Sequence, residues 1–234
     1  MIKIENIDVY GWDAAVRGAR NPMNSWDNSD SYWTHIENAL THNTARFEFF
    51  VGDSDLRLLR SLAKAGPDHG KFLRYLIVQL DITAPFYWWK EFKTYRKGRK
   101  FMDDGDEILD PEEFEMFIET NSCSTMHKIH EKPFTEDDFS REHLVADGEE
   151  CLGILITYLN YCRECFLETK NKMWWWQLIQ LLPSSYNQRR TVQLNYQVLK
   201  SMYHARKNHK LDEWREFCRF IETLPHSELI TGDA

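Results

Sequence analysis

Leu181–His209 reads LLPSSYNQRRTVQLNYQVLKSMYHARKNH, and the fold turns on how this stretch is divided. Pro183-Ser184-Ser185-Tyr186-Asn187 is a polar loop. A β-branched stretch follows through Thr191 and Val192. Asn195 then stands where a helix N-cap belongs, because its side-chain oxygen can accept from an orphan amide of the first turn. Val198, Leu199, Met202 and Tyr203 recur at helical spacing and define a buried stripe. Lys200, His204, Arg206, Lys207, His209 and Lys210 crowd the remaining surface. One reading is a solvated helix face, the usual fate of a charge run. The other is a nearby anion, since arginine grips phosphate or carboxylate through two parallel bonds.

Around that stretch lie 234 residues, the length of one large domain or two small ones. Nine Trp and fourteen Phe can furnish a large core, or a core plus a subunit interface. The formal charge of −8 argues against bulk nucleic-acid binding but not against a small phosphorylated ligand, which needs only a local cluster of cations. No stretch approaches ~20 apolar residues, so no membrane span is expected. The opening MIKIENIDVYGWD lacks the layout of a signal peptide. Five cysteines, an odd number without a framework, read as reduced thiols of a cytoplasmic protein.

Upstream, Ile2, Ile4, Ile7 and Val9 give a short strand, and Asp13 to Arg20 a brief helix. Asn21 to Ser31 is a polar loop. Arg46 to Val51 reads as a strand. Asp53 or Ser54 can cap a helix striped by Leu56, Leu59, Leu62 and Ala63, which Gly66-Pro67 stops. Phe72 to Ile82 is the strongest strand, and its apolar run at Tyr75 to Val78 implies a central strand buried on both faces. Pro85 opens a helix carrying Trp88, Phe92 and Tyr95, ended by Gly98.

An acidic segment fills Asp103 to Glu119, and a helix starts at Asp110. Its DDGDEILD departs from the alternating ligand pattern of a calcium loop. Asn121 to Thr125 is a compact polar turn. Short and long helices follow over Thr135 to Leu144 and Glu149 to Lys170, the latter striped by Leu152, Leu155, Ile156, Leu159 and Cys162. Cys162 and Cys165 form a C-x-x-C without a second pair at zinc spacing, which reads as packing. Met173 to Trp176 suits a core or an oligomer interface. A last helix runs from Leu211 to Leu224, with a loose tail beyond His226. The order implies an α+β fold with a central mixed or antiparallel sheet flanked by helices. It is read as one domain over 1–234, with an acidic insertion at about 99–120.

No phosphate-cradling glycine loop and no nucleophile elbow is present. His127 and His130 lack a companion carboxylate motif, and no metal site is expected. Cys123 is a nucleophile only if a cation lowers its pKa.

The order of parts resembles the flavin-dependent thymidylate synthases. Three blocks carry the likeness. The first is a strand leading through Ala84-Pro85 into an aromatic helix that ends Tyr95-Arg96-Lys97-Gly98. The second is Asn121-Ser122-Cys123-Ser124, similar to the family's Asn-Glu-x-Ser. The third is Leu182-Pro183, a later Thr191 and Asn195, and a helix reaching Arg206, at the family's spacing without gaps. The departures are equally specific. The family's Arg-His-Arg motif falls on Thr94-Tyr95-Arg96, its substrate-contacting Gln on Glu91, its Asn-Glu-x-Ser glutamate on Ser122, and an arginine before Leu-Pro on Ile179. An early flavin-contacting His falls at Tyr75, with His69 as an offset candidate.

What the resemblance implies follows. FAD would deliver a hydride and methylenetetrahydrofolate a one-carbon unit to dUMP, with NADPH as reductant, in a homotetramer. Ser124 and Arg206 would serve catalysis. Glu91, Asn121, Ser122, Ser124 and Arg206 would hold the pyrimidine nucleotide. His69, Tyr75, Arg96 and Asn195 would meet the flavin. Such a methyltransferase needs no enzyme nucleophile; placement and charge stabilisation do the work. The alternative is a non-catalytic relative that binds or sequesters the nucleotide after losing its redox site, which the missing Arg-His cations favour. A purely structural oligomer with a solvated basic helix is the third reading.

Overall fold

The computed structural model describes residues 2–36, 46–96, 100–101, 107–108 and 118–232. In chain order the elements are β1 (Lys3–Tyr10), α1 (Trp12–Arg20), β2 (Tyr32–Ile36), β3 (Arg46–Phe50), α2 (Asp53–Lys64), β4 (Ile77–Pro85), α3 (Phe86–Phe92), β5 (Lys100–Phe101), β6 (Glu107–Ile108), β7 (Glu119–Ser122), α4 (Ala146–Thr169), α5 (Lys172–Leu181), β8 (Asn187–Asn195), α6 (Tyr196–Arg206), α7 (Asp212–Glu222) and α8 (Glu228–Thr231). The helix expected from Asp110 and most of the acidic insertion fall outside the described residues.

The fold is α+β, built on a four-stranded sheet in the order β1-β4-β8-β7. All three pairings are antiparallel. β4 and β8 are its middle. Their register pairs Ile77 with Asn195 and Pro85 with Asn187. Alternation then sorts the side chains. Val78, Leu80, Ile82 and Ala84 of β4, with Val192 and Leu194 of β8, face a buried core. Asp81 and Thr191 face the other way, where the Asp81 carboxylate accepts from Asn6, Arg189 and Thr191 at 2.6–2.7 Å. The expected burial of β4 on both faces is therefore corrected. The strand is central in order but one-sided, and Tyr75 is 54% exposed. Its start is also later than expected, because Gly70–Arg74 forms a 3-10 turn that buries Phe72 and Leu73 without a partner strand.

On the core face, α3, α6 and α7 bury Trp88, Phe92, Val198, Leu199, Met202, Trp214 and Phe217. Trp88 sits 4.9 Å, centroid to centroid, from both Phe92 and Trp214. Each fully buried side chain of this size contributes about 1.5–3 kcal/mol. A second cluster, including Phe134, Phe139, Leu159, Cys162 and Leu178, lies along the α4–α5 hairpin. The Met-Trp-Trp-Trp run starts α5; Trp174 and Trp175 join that cluster, while Met173 and Trp176 stay exposed.

Several local expectations change. The cap of α2 comes from the polar loop, since the backbone N–H groups of Ser54 and Asp55 donate to the Asp30 carboxylate at 2.8 and 3.0 Å. Asn121 and Ser122 end a strand, β7, and the turn begins after them. Thr135 to Leu144 yields a single 3-10 turn at Glu136–Asp138, closed by a Thr135–Asp138 capping box. The tail is ordered: Leu229 and Ile230 of α8 are fully buried, and Glu228 pairs with Arg60 at 2.7 Å. Gly11 is required at the β1–α1 corner. Its φ is 94°, and a Cβ there would stand 1.9 Å from the Tyr75 carbonyl oxygen.

Candidate functional site

A cavity of about 500 Å³ opens at the end of the sheet where β4 hands over to α3. α3 supplies Phe86, Trp89 and Lys90, and Lys93 follows in the next turn. β7 supplies Thr120 and Ser122, with Thr125 just after it. β8 supplies Gln188 and Arg190, and the preceding loop Leu182 and Ser184. The volume lies within the range of small-ligand sites. Among the described lining residues there are three cations and no carboxylate, so the walls suit an anion.

Local structure explains how these groups converge. Register places Ser122 opposite Arg190 and Thr120 opposite Val192, on the core side of the sheet. Asn121, opposite Thr191, points to the other face with Asp81. Arg190 is buried, 7% exposed. Its Nε donates to the Gln188 side-chain oxygen at 3.0 Å, and its guanidinium lies over the Trp89 ring at 4.2 Å. Gln188 is fixed in turn, its amide nitrogen donating to the Cys123 carbonyl at 2.9 Å. The Trp89 indole donates to the Gln188 carbonyl at 2.9 Å.

Arg206 sits elsewhere. Its Nε donates to the Tyr95 hydroxyl at 2.7 Å, and Nη1 lies 3.2 Å from the Glu91 carboxylate. Its guanidinium stands 4.9 Å from the Trp214 ring centre. Trp214 Nε1 donates to the same Glu91 carboxylate at 3.0 Å, and His209 approaches it at 3.7 Å. Burial raises the Tyr95 pKa, although the Arg206 charge opposes it. Burial and the Arg206 charge lower the His209 pKa. Two residues expected around the substrate, Glu91 and Arg206, are thus brought together with each other.

The remaining expected site residues are dispersed within the chain. Ser122 lines the cavity. Ser124 is exposed, and its Oγ accepts from the His127 backbone N–H at 2.9 Å. Asn121 is exposed on the polar face. His69 and Tyr75 are both exposed, on either side of the 3-10 turn before β4. Arg96 is described by its backbone alone, at the end of the turn after α3. Asn195 is buried and caps α6, accepting from the Val198 N–H at 3.0 Å. The other basic residues of α6 diverge: Lys200 donates to the Ala63 carbonyl at 2.7 Å, and a His204 ring nitrogen lies 3.2 Å from the Ile230 carbonyl. Among the described residues no group of His, Cys, Asp or Glu is arranged to hold a metal ion, and no helix is long and apolar enough to cross a membrane.

A second cavity, of about 740 Å³, lies between β1 and the β2–β3 hairpin. Trp33, Phe47, Phe49, Asp8, Asp13 and Glu48 are among its walls, and its described lining includes no Lys or Arg. Anion chemistry therefore belongs to the first cavity. Arg190, Lys90 and Lys93 lie outside the residues that the sequence marks as a site. The signal existed: four alternate positions, Gln188, Arg190, Val192 and Leu194, share one face, and two of them are polar.

No family model matches the sequence, and a comparison with curated proteins finds no match. The fold does match solved structures. A flavin-dependent thymidylate synthase from Helicobacter pylori, complexed with FAD and dUMP, superposes with a TM-score of 0.65 at 16% identity, over 98% of each chain. A second structure of that enzyme with FAD and dUMP gives 0.64 at 15%, over 98% of this chain and 96% of that one. A UMP/dUMP methylase from Streptomyces cacaoi bound with 5-Br dUMP gives 0.58 at 13%, over 99% and 95%. From end to end, and at low sequence identity, the chain has the fold of the flavin-dependent thymidylate synthases.

Proposed function

We propose that the chain binds a pyrimidine nucleotide such as dUMP in the basic cavity and acts on it as a flavin-dependent methylase. The observation that carries this reading is a cationic, hydroxyl-lined cavity on a fold shared with nucleotide-bound methylases over nearly the whole chain. Fold alone does not fix activity. The cavity adds the chemistry, because Lys90, Lys93 and Arg190 suit a phosphate and Ser122 and Thr120 can orient a sugar.

The fit to FAD is mixed. His69 and Tyr75, at the two ends of the 3-10 turn, each leave a ring exposed that a cofactor could contact. Asn195 fits less well, since its side-chain oxygen is committed to α6. A bound flavin would supply the hydride; methylenetetrahydrofolate would supply the carbon and NADPH the electrons. The chain's own groups hold the nucleotide and exclude water. Ser124 and Arg206 do not meet within one chain, so their expected roles require a second subunit, in keeping with a proposed homotetramer. Cytoplasmic placement and a single domain with an insertion remain part of this reading.

A second reading has its own support. The Glu91–Arg206 pair neutralises the arginine that the resemblance assigns to the nucleotide, and with Asn195 committed, a non-catalytic nucleotide binder is consistent. One experiment separates the two. Protein incubated with FAD, desalted and scanned, then titrated with dUMP in a calorimeter, retains flavin under the first reading. Under the second it stays colourless but releases heat with dUMP. A colourless protein giving no heat contradicts both.

A further inference from the structure

The β2–β3 hairpin forms its own two-stranded sheet, separate from the four-stranded one. A sheet of two strands is marginal unless its side chains pack against something. Alternation puts Trp33, Phe47 and Phe49 on one face, with Trp33 opposite Phe49 and their ring centres 5.3 Å apart. These three border the second cavity together with Tyr10 and Trp12 of the β1–α1 corner. Phe49 and Trp12 lean on the core, but Trp33, Phe47 and Tyr10 are 57%, 66% and 47% exposed. Aromatic side chains gathered around about 740 Å³, with three of them open to solvent, form a cage rather than a core. Exposed apolar surface concentrated in one place marks a binding site.

Charge decides what the cage takes. Its acidic wall residues are Asp8, Asp13 and Glu48, and its described lining includes no Lys or Arg, the reverse of the first cavity. Asp8 and Asp13 are engaged within the chain, Asp13 by Arg17 at 3.4 Å, so they supply a negative field rather than ligand contacts. Burial lowers the His226 pKa from 6.5, with Glu228 opposing and Arg60 assisting, so this ring at the cavity edge is uncharged at neutral pH. Aromatic faces carry the negative end of the ring quadrupole and attract an ammonium group within about 6 Å. We propose that this cavity binds a small alkylated ammonium ion, held against the rings of Trp33, Phe47 and Tyr10 in the field of the three carboxylates. The site lies at the far end of the sheet from the first cavity. Tyr10 stands opposite Ile77 at the start of β4, whereas the first cavity opens where β4 ends at Pro85. It is therefore independent of the nucleotide reading.

The test is calorimetry on the full chain with choline as the probe. The control titrant is the uncharged alcohol in which a carbon replaces the choline nitrogen, which has the same shape without the charge. Choline is expected to bind about tenfold more tightly than this isostere. Trp33→Leu, at an exposed position, is expected to weaken choline about threefold to tenfold and leave the isostere nearly unchanged. Glu48→Gln is expected to weaken choline about twofold to fivefold and flatten its salt dependence. Equal binding of choline and the isostere would overturn the proposal and make the cavity a seat for an uncharged apolar ligand. Choline binding that ignores both substitutions would place the cation elsewhere and overturn it too. Sedimentation supplies the remaining arm. If choline gives no heat and Trp33→Leu lowers the mass of the assembly, a second copy of the chain covers these rings and the ammonium site is wrong.

Discussion

The Arg206 guanidinium lies 3.2 Å from the Glu91 carboxylate and donates to the Tyr95 hydroxyl at 2.7 Å. This pair joins the end of α6 to the end of α3, with Trp214 of α7 donating to the same carboxylate. Arg206→Ala is therefore expected to cost about 1–3 kcal/mol of stability, the range for hydrogen bonds to charged groups, seen as a lower urea midpoint. Glu91→Gln keeps an acceptor for Trp214 and Arg206 but removes one negative charge adjacent in sequence to Lys90. It is expected to strengthen dUMP binding about threefold to tenfold. An unchanged affinity would make the pair purely structural.

A buried ion pair governs stability at acid pH. Arg20 Nε lies 2.5 Å from Asp55, with side chains 6% and 1% exposed. Burial alone would raise the Asp55 pKa, but hydrogen bonds from Ser29, Ser31 and Arg20 and the Arg20 charge outweigh it and hold it below 3.8. On the open sheet face, hydrogen bonds from Thr191, Arg189 and Asn6 hold Asp81 at about 2. Both folded pKa values are depressed, so the stability they contribute is present above about pH 4 and lost as pH falls through the folded values. Urea midpoints should be flat near neutrality and drop between about pH 4 and 2. Asp81→Asn should flatten part of that drop. Asp55→Asn should cost about 3–5 kcal/mol at neutral pH, because it leaves Arg20 buried without its charge partner. A wild-type profile unchanged down to about pH 2 would contradict this assignment.

Gly11 and Gly66 make a controlled comparison. Both have positive φ, 94° and 100°, but a Cβ on Gly11 meets the Tyr75 carbonyl at 1.9 Å while one on Gly66 meets nothing within 4 Å. Gly66→Ala should cost about 1 kcal/mol from backbone strain alone. Gly11→Ala should cost clearly more, since the β1–α1 corner must move. Equal thermal shifts for the two variants would rule out the steric argument.

At Asn195 a cap can be told from a cofactor contact. Asn195→Ala should lose about 1 kcal/mol, and Asn195→Asp, which keeps the accepting oxygen, should lose little. If Asn195→Asp retains stability but releases flavin, the residue touches the cofactor as the resemblance implies. If flavin retention follows stability in both variants, its role is the helix end.

The legible parts of the sequence were those with local causes. Asn195 capping α6 and the stripe of Val198, Leu199 and Met202 need no information beyond the chain's own neighbours. Pro85 opening α3 is equally local. Non-local causes hid the rest. β7 has four residues and becomes a strand by pairing with β8, so Asn121 and Ser122 read as a turn. Phe72 and Leu73 are as apolar as a strand, but they fill space under a 3-10 turn. α8 is ordered because Leu229 and Ile230 find the core. Among site residues, Glu91 and Arg206 were marked by resemblance, yet nothing in sequence spacing shows that they pair across 114 intervening positions. Arg190 was hidden differently. Only Thr191 and Val192 carry a β-branched signal, whereas the strand runs from Asn187 to Asn195, so the alternation that makes Arg190 a misfit beside Val192 and Leu194 shows only in the structure.

The central claim, a pyrimidine nucleotide acted on beside a flavin, is tested most directly by the visible spectrum of the protein after incubation with FAD and desalting, recorded before and after adding dUMP. Retained flavin bands that shift when dUMP is added are the expected result. A protein that holds no flavin, or holds it with a spectrum indifferent to dUMP, would contradict it.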